Sequence, residues 1–293
     1  FPAGMQACGH FDTGCRYEVV KMVLQSPVKV QLLISSVDQD VRALTKKMKI
    51  ETDAVIVNQC DRYGYREWST ESGRIRNFDM MERGVGLSRN TALLHAAADI
   101  CLFSDEDIVL EKGYRDIVRE AYKQRPDADM ILFNVRVAPE RRTYWNDRVK
   151  RVRFYNYGRY PAYSISGRLE ALRRANVHFS LLYGGGARYS NGEDSLFLKD
   201  CLDAGLRIYA VPDCIGEEIP RESGGSTWFH GFTEKFFTDR GVLYHDLYGR
   251  LAGIFSLRFL LKKRKEMCRE IPLWKAYRLM KKGIRSQKKG GKG

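Results

Sequence analysis

The sequence predicts an α/β fold: a doubly wound, mostly parallel central sheet with helices on both faces, followed by a basic helical C-terminal segment. Three observations carry this reading. Short apolar runs alternate with helical patterns of about ten to fifteen residues, the signature of successive βα units. Composition is that of an ordinary globular chain, 44% hydrophobic and 29% charged over 293 residues, which excludes global disorder and collagen-like repetition. The net charge of +14 is concentrated at one end: residues 251–293 hold 14 Lys and Arg against Glu266 and Glu270 only. The remaining body is nearly neutral, so a nucleic-acid binder, which spreads cations over its contact face, is not expected.

The elements follow in order. VKVQLLISS, from Val28, is a β-rich apolar run, and Asp40 to Met48 reads as a helix. DAVIVNQC is a second strand, YGYREW an irregular aromatic loop, and a third short strand falls near Ile75. GLSRNTALLHAAAD reads as an alanine-rich helix opening at Ser88, with ICLFSDED as the next strand. A helix over Lys112 to Gln124 and the strand DMILFNVRV complete a further unit. Further on, SLFLKDCLDAG is an amphipathic helix closed by Gly205. Three regions result: 1–27, a flanking segment expected to be weakly ordered; 28–250, the α/β body; and 251–293, a basic amphipathic tail.

The seven cysteines, Cys8, Cys15, Cys60, Cys101, Cys201, Cys214 and Cys268, are scattered and form no CxxC pair, so neither a disulfide framework nor a zinc finger is expected. Cys101 and Cys201 lie in apolar patterns and read as small core hydrophobes of a reduced, cytoplasmic protein. No run of about 18 apolar residues occurs, so no membrane span is expected.

In doubly wound sheets ligands bind at the carboxyl ends of the strands. The informative residues are therefore Ser35, Ser36 and Asp38 after the first strand, Asn58, Gln59 and Asp61 after the second, and Asp105 and Asp107 after ICLF. Asp105-Glu106-Asp107 places two carboxylates two residues apart at a strand end, where both can reach one hard divalent cation. Alone, such a triplet also fits a solvated acidic turn. Ser88-Arg89-Asn90 puts a cation at a helix start already favourable to anions, and Ser88 equally fits a plain N-cap. Glu193 and Asp194 open a helix after the glycine run Tyr183 to Gly186. They fit either compensation of the helix dipole or a general base taking a proton from an attacking hydroxyl.

Taken together, ISSVDQD, VNQCD, GVGLSRNTAL, FSDEDIVL, YGGGARYSNGEDSLFLKDCL and GSTWFHGF resemble family 2 glycosyltransferases of the GT-A fold, particularly bacterial enzymes that build surface polysaccharides. The resemblance covers roughly Val28 to Tyr248. It implies a Rossmann-like sheet and inverting, metal-dependent transfer from a nucleotide-diphosphate sugar, UDP being the favoured nucleotide, to a glycan or lipid-linked acceptor. By that resemblance Asp105 and Asp107 bind the donor diphosphate through Mn²⁺ or Mg²⁺. Asp194, paired with Glu193, takes the place of the catalytic base. Ser35, Ser36, Asp61 and Arg89 correspond to contacts with nucleobase and ribose, and His230 to a late ligand of the metal or pyrophosphate, though His230 also fits a packing role beside Trp228. The first loop, SSVDQ, departs from the commoner P-x-Y-N type. The Q-x-x-R-W signature and spanning helices of processive synthases are absent, which points to single additions.

The tail mixes Phe255, Phe259, Leu260, Leu261, Trp274 and Tyr277 with basic residues. This suits an amphipathic helix on anionic lipid at the inner face of the cell membrane, and equally a solvated basic end packed on the body. Two rival readings are a sugar nucleotidyltransferase, which the absence of glycine in ISSVDQDVRAL disfavours, and a non-enzymatic membrane or nucleic-acid binding module, which leaves the acidic clusters unexplained.

Overall fold

The computed structural model describes residues 27–139, 142–219, 231–267 and 271–290. Among the described residues, ten strands form one sheet in the order β3-β4-β2-β1-β5-β9-β7-β10-β6, with β8 paired to β10. Its centre is parallel: β4 (Arg74–Met80), β2 (Asp53–Gln59), β1 (Val30–Val37) and β5 (Ile100–Asp105) all run the same way. β9 (Ile165–Arg168) is inserted antiparallel between β5 and β7 (Met130–Arg136). β10 (Ile208–Glu218) returns parallel to β7 and pairs antiparallel with the short strands β6 (Ile108–Leu110) and β8 (Lys150–Arg151).

Side chains alternate across a strand, and here both faces are buried, which explains why the central strands read as continuous apolar runs. Leu33, Val55, Val57 and Phe103 pack to one side with α2 (Val85–Leu94), α4 (Leu169–Ala175) and α5 (Glu193–Asp203). Leu32, Ile34, Ile56 and Leu102 pack to the other with α1 (Val41–Lys47) and α3 (Tyr114–Gln124). Each fully buried side chain of this kind contributes about 1.5–3 kcal/mol over its exposed state. Asp40 caps α1 by accepting from the Arg42 and Ala43 amides.

Two sequence expectations change. YGYREW is not an irregular loop but contains most of β3 (Gly64–Ser69), an exposed edge strand in antiparallel register with β4. Its residues lack an alternating buried face, so hydrophobic periodicity could not reveal it. The helix expected to open at Ser88 begins three residues earlier, with Gly84 as N-cap at φ 143° and no capping side chain.

The C-terminal part is three packed helices. α6 (Glu234–Tyr248), α7 (Ala252–Met267) and α8 (Leu273–Gly290) share a third core built on Phe236, Phe237, Leu260, Ala276 and Met280. The α6–α8 crossing depends on two glycines facing opposite helices: a Cβ on Gly241 would stand 2.1 Å from the Met280 carbonyl oxygen, and one on Gly283 2.1 Å from that of Thr238. Lys275 of α8 pairs with Glu234 of α6 at 2.6 Å. Among the described residues no helix is long and apolar enough to cross a membrane.

Cys101 and Cys201 are buried free thiols, as their apolar setting predicts, and burial pushes the Cys101 thiol up to about 12. Cys8, Cys15 and Cys268 lie outside the described residues.

Gly283→Val forces the two helices apart and is expected to cost about 1–3 kcal/mol. A thermal melt followed by circular dichroism reads the effect; an unchanged midpoint would contradict the tight crossing.

Candidate active site

The carboxyl ends of β1, β2 and β5 form one rim. Ser35 and Ser36, expected after the first strand, are instead buried within the last three residues of β1 and tie strands together: Ser36 Oγ donates to Asn58 Oδ1 at 3.2 Å, and Ser35 Oγ accepts from Gln59 Nε2 at 3.5 Å. Asn58 accepts from the Gln39 amide (3.1 Å) and donates to Asp79 Oδ1 (3.2 Å). Asp79 is buried, yet its carboxyl lies below the usual range: burial opposes ionisation, but hydrogen bonds from Asn77 and Asn58 and the nearby Arg66 and Arg62 guanidinium groups outweigh it. Asp38 turns the chain at φ 51° and pairs with Arg83 at 3.1 Å. Between these groups lies a cavity of about 490 Å³, lined by Asp38, Asn58, Asp61, Arg62 and Arg66 among others. Asp61, predicted from sequence, stands exposed at its edge. Asp79 and the two arginines went unrecognised in the sequence, because their partners come from the β3–β4 hairpin that periodicity missed.

At the end of β5, Asp105 is partly exposed, Glu106 is buried and Asp107 is partly exposed at the following turn. Glu106, the middle residue of the triplet, accepts from the Val37 amide at 2.7 Å and so fixes the loop after β1. The flanking aspartates are left nearer solvent.

The SRN triplet is inside α2 and acts as a three-way tie. Ser88 Oγ donates to the Val57 carbonyl at 3.4 Å instead of capping the helix. Asn90 exchanges two hydrogen bonds, each 2.8 Å, with the Phe179 backbone. Arg89, expected at an exposed helix start, is only 5% exposed in its side chain. It donates Nη2 to Asp105 Oδ1 at 2.9 Å and Nη1 to Glu193 Oε1 at 3.0 Å. Burial alone would lower the guanidinium's pKa, but these two carboxylates raise it, so Arg89 carries its charge. One buried cation thereby brings the DED triplet and the Glu193-Asp194 pair to a single site.

The glycine run makes this approach possible. Gly184 has φ 97°, and a Cβ on it would stand 2.7 Å from Glu193 Cδ and 2.6 Å from Val85 Cγ1. Gly185 accepts from the Val85 amide at 2.9 Å, fastening the run to the start of α2. Gly192, at φ 114°, opens α5, so Glu193 and Asp194 occupy its first turn. Asp194 Oδ1 accepts from the Ser195 amide at 2.7 Å. Burial, with the neighbouring Glu193 charge, pushes the Asp194 carboxyl up to about 7, against the opposing pull of Arg89 and Arg240. Beside it a cavity of about 460 Å³ opens toward Asn191, Arg159, Tyr160 and Arg240. His230 lies outside the described residues.

A parallel β4-β2-β1-β5 core with an antiparallel β9 insertion, acidic clusters after β5 and at the start of α5, and a cavity at the strand ends define the GT-A fold of glycosyltransferases. No protein-family model and no curated protein sequence matches the chain. Among solved structures it is similar to TarS from S. aureus: the 1-349 fragment in complex with UDP-GlcNAc gives a TM-score of 0.55 at 16% identity, over 83% of this chain and 74% of the other. A further structure of that fragment gives 0.56 at 13% identity, over 89% and 92%, and its complex with UDP gives 0.53 at 16% identity, over 83% and 73%. Identities this low establish a shared fold and leave the activity to the chemistry of the site.

The Asp194 setting makes stability depend on pH with a definite sign. Its native value near 7 exceeds the 3.8 of an unperturbed aspartate, so the folded state holds the proton longer than the unfolded one. The stabilising contribution is complete below about pH 4 and is lost as pH rises through 7. Asp194→Asn removes it, so the melting point of the variant relative to wild type should be higher at pH 8 than at pH 5. An equal difference at both pH values would contradict the raised value.

Proposed function

We propose that the chain is an inverting, metal-dependent glycosyltransferase that moves a sugar from a nucleotide-diphosphate donor, UDP being the favoured nucleotide, to a hydroxyl of a glycan or lipid-linked acceptor. The observation that carries this reading is the Arg89 clasp, which joins the strand-end carboxylate Asp105 to the helix-start pair Glu193-Asp194 within a GT-A fold. The family 2 resemblance and the likeness in fold to TarS, solved with UDP-GlcNAc, support it.

Asp105 and Asp107 would hold the divalent cation. Among the described residues no group of three or more His, Cys, Asp or Glu side chains converges on one metal position. Two oxygen ligands suit Mg²⁺ or Mn²⁺, whose remaining positions are filled by diphosphate oxygens and water. When bound, the metal neutralises charge developing on the departing nucleotide diphosphate. The cavity at the β1–β2 rim, with Asp61 at its edge, would take nucleobase and ribose, and Ser35 and Ser36 brace the strand ends beside it. Arg89 orients Asp105 and Glu193.

Asp194 is the base. It accepts the proton of the acceptor hydroxyl as the new bond to the anomeric carbon forms and the bond from that carbon to the donor's phosphate oxygen breaks. A base near 7 is poised for this at neutral pH. The expected dependence is therefore a transfer rate that rises with pH through about 7.

The exposed face of α7 supports docking on anionic lipid. Leu251, Ile254, Leu257 and Leu261 are all exposed and follow one another at helical spacing from the turn before α7, with Arg258, Lys262 and Lys265 beside them. The opposite face, Ala252, Ser256 and Leu260, is buried. A lipid-linked acceptor would then meet the enzyme at the membrane.

Asp194→Asn is expected to bind UDP with Mn²⁺ as wild type does, seen as an equal ligand-induced rise in melting point, while losing at least a hundredfold in transfer. Unimpaired turnover would remove Asp194 from its role, and no nucleotide-dependent shift with UDP, GDP, CDP or dTDP would overturn the donor assignment. In sedimentation with vesicles containing phosphatidylserine, Ile254→Asp with Leu257→Asp should lose most of the bound fraction; binding equal to wild type would count against α7 as the lipid-facing element.

A further inference from the structure

The cavity beside Asp194 is lined by two cations that form no ion pair among the described residues. Arg240, on α6, donates Nη1 to Asn191 Oδ1 at 3.0 Å. Its guanidinium lies over the rings of Phe259, Phe236 and Tyr244, with centroids at 4.7, 5.5 and 5.9 Å. Its buried Nε has no hydrogen-bond acceptor among the described residues. Arg159, which also lines the cavity, lies over Tyr160 at 5.4 Å and donates Nε to the Asn156 carbonyl at 3.3 Å.

The neighbouring charges are already matched. Arg89 pairs with Asp105 and Glu193, and Lys235 with Asp239. Among the described residues no ion pair is formed by Arg159 or Arg240. Glu193 on the cavity wall is committed to Arg89, which leaves the single carboxylate of Asp194 facing two guanidinium groups among the described lining residues.

Aromatic rings across the faces of a guanidinium leave its edges as the binding surface, and that edge matches a planar or tetrahedral oxyanion by two parallel hydrogen bonds. A neutral sugar hydroxyl satisfies such a fork poorly. A site built around a charged donor rejects ligands that leave it unpaired.

We propose that this cavity selects an acceptor carrying an anion, either a phosphate ester or a carboxylate, close to the hydroxyl that reacts, with Arg240 and Arg159 as the residues that recognise it. The inference rests on Asp194 being the base of the proposed transfer, since that places the cavity on the acceptor side. It adds the substrate class, which neither the fold nor the acidic motifs contain.

The test uses the full chain and three matched hexoses: glucose 6-phosphate, methyl glucuronide and neutral methyl glucoside, titrated calorimetrically with UDP and Mn²⁺ saturating so that the donor side is filled. At least one anion should bind tenfold or more tighter than methyl glucoside, and which one it is separates phosphate from carboxylate recognition. Arg240→Gln and the exposed Arg159→Gln should each weaken that anion several-fold or more while UDP affinity stays at the wild-type value, and Arg240→Lys, which keeps the charge, should restore part of the loss. Methyl glucoside binding as well as both anions, no binding of either anion, or undiminished anion affinity in both glutamine variants would overturn the proposal. Binding of UDP is read separately: if it fails, the donor assignment falls, and the same titrations on the free protein still decide whether the cavity takes an anion.

Discussion

A guanidinium almost without water must have its charge answered within hydrogen-bond reach, and in this molecule that requirement falls on Arg89. Leaving one partner of such a buried pair alone costs about 3–5 kcal/mol. Asp105 and Glu193 answer it together, and because they come from β5 and α5, the cation sets the distance between a sheet edge and a helix start. Much of the local architecture serves that distance. Gly184 must lack a Cβ for Glu193 to come close, and Asn90 and Ser88 hold α2 against the Phe179 segment and β2 so that Arg89 points inward.

The clasp also sets the chemistry of its neighbours. Burial, with the Glu193 charge beside it, holds the Asp194 proton toward neutral pH. Two adjacent acids of one helical turn thus acquire different roles from their surroundings alone: one neutralises a structural cation, the other is free to exchange a proton. Asp105 has a double allegiance as well, being joined to Arg89 on one side and open toward solvent on the other. Structural charge balance and the proposed donor site therefore meet at a single side chain.

The C-terminal helices are part of this arrangement and not an appendage. α6 supplies Arg240 to the cavity beside Asp194, α8 is pressed onto α6 through Gly241 and Gly283, and Gln287 of α8 donates to the Tyr189 hydroxyl in the loop that precedes Asp194. A segment that composition marks only as basic thus buttresses the cavity beside Asp194 with one face while exposing apolar and cationic residues on another.

Read as a linear chain, the protein already contains its doubly wound core, since β1, β2, β5 and β7 are apolar runs and α1 carries its own cap. Periodicity and capping are local, so a few consecutive residues suffice to specify them. The acidic clusters were legible for a related reason: Asp105, Asp107, Glu193 and Asp194 stand where a strand ends or a helix begins, and such positions can be counted along the sequence. The edge strand β3, the Asp79 cluster and the burial of Arg89 were not legible. β3 is an exposed edge strand without a buried face to impose alternation, and Arg89 sits beside Ser88 in a context that reads equally as a cap. Its partners are 16 and 104 residues away, and an ion pair between such segments depends on sheet register, helix packing and the close approach of Gly184, which only the folded chain brings together.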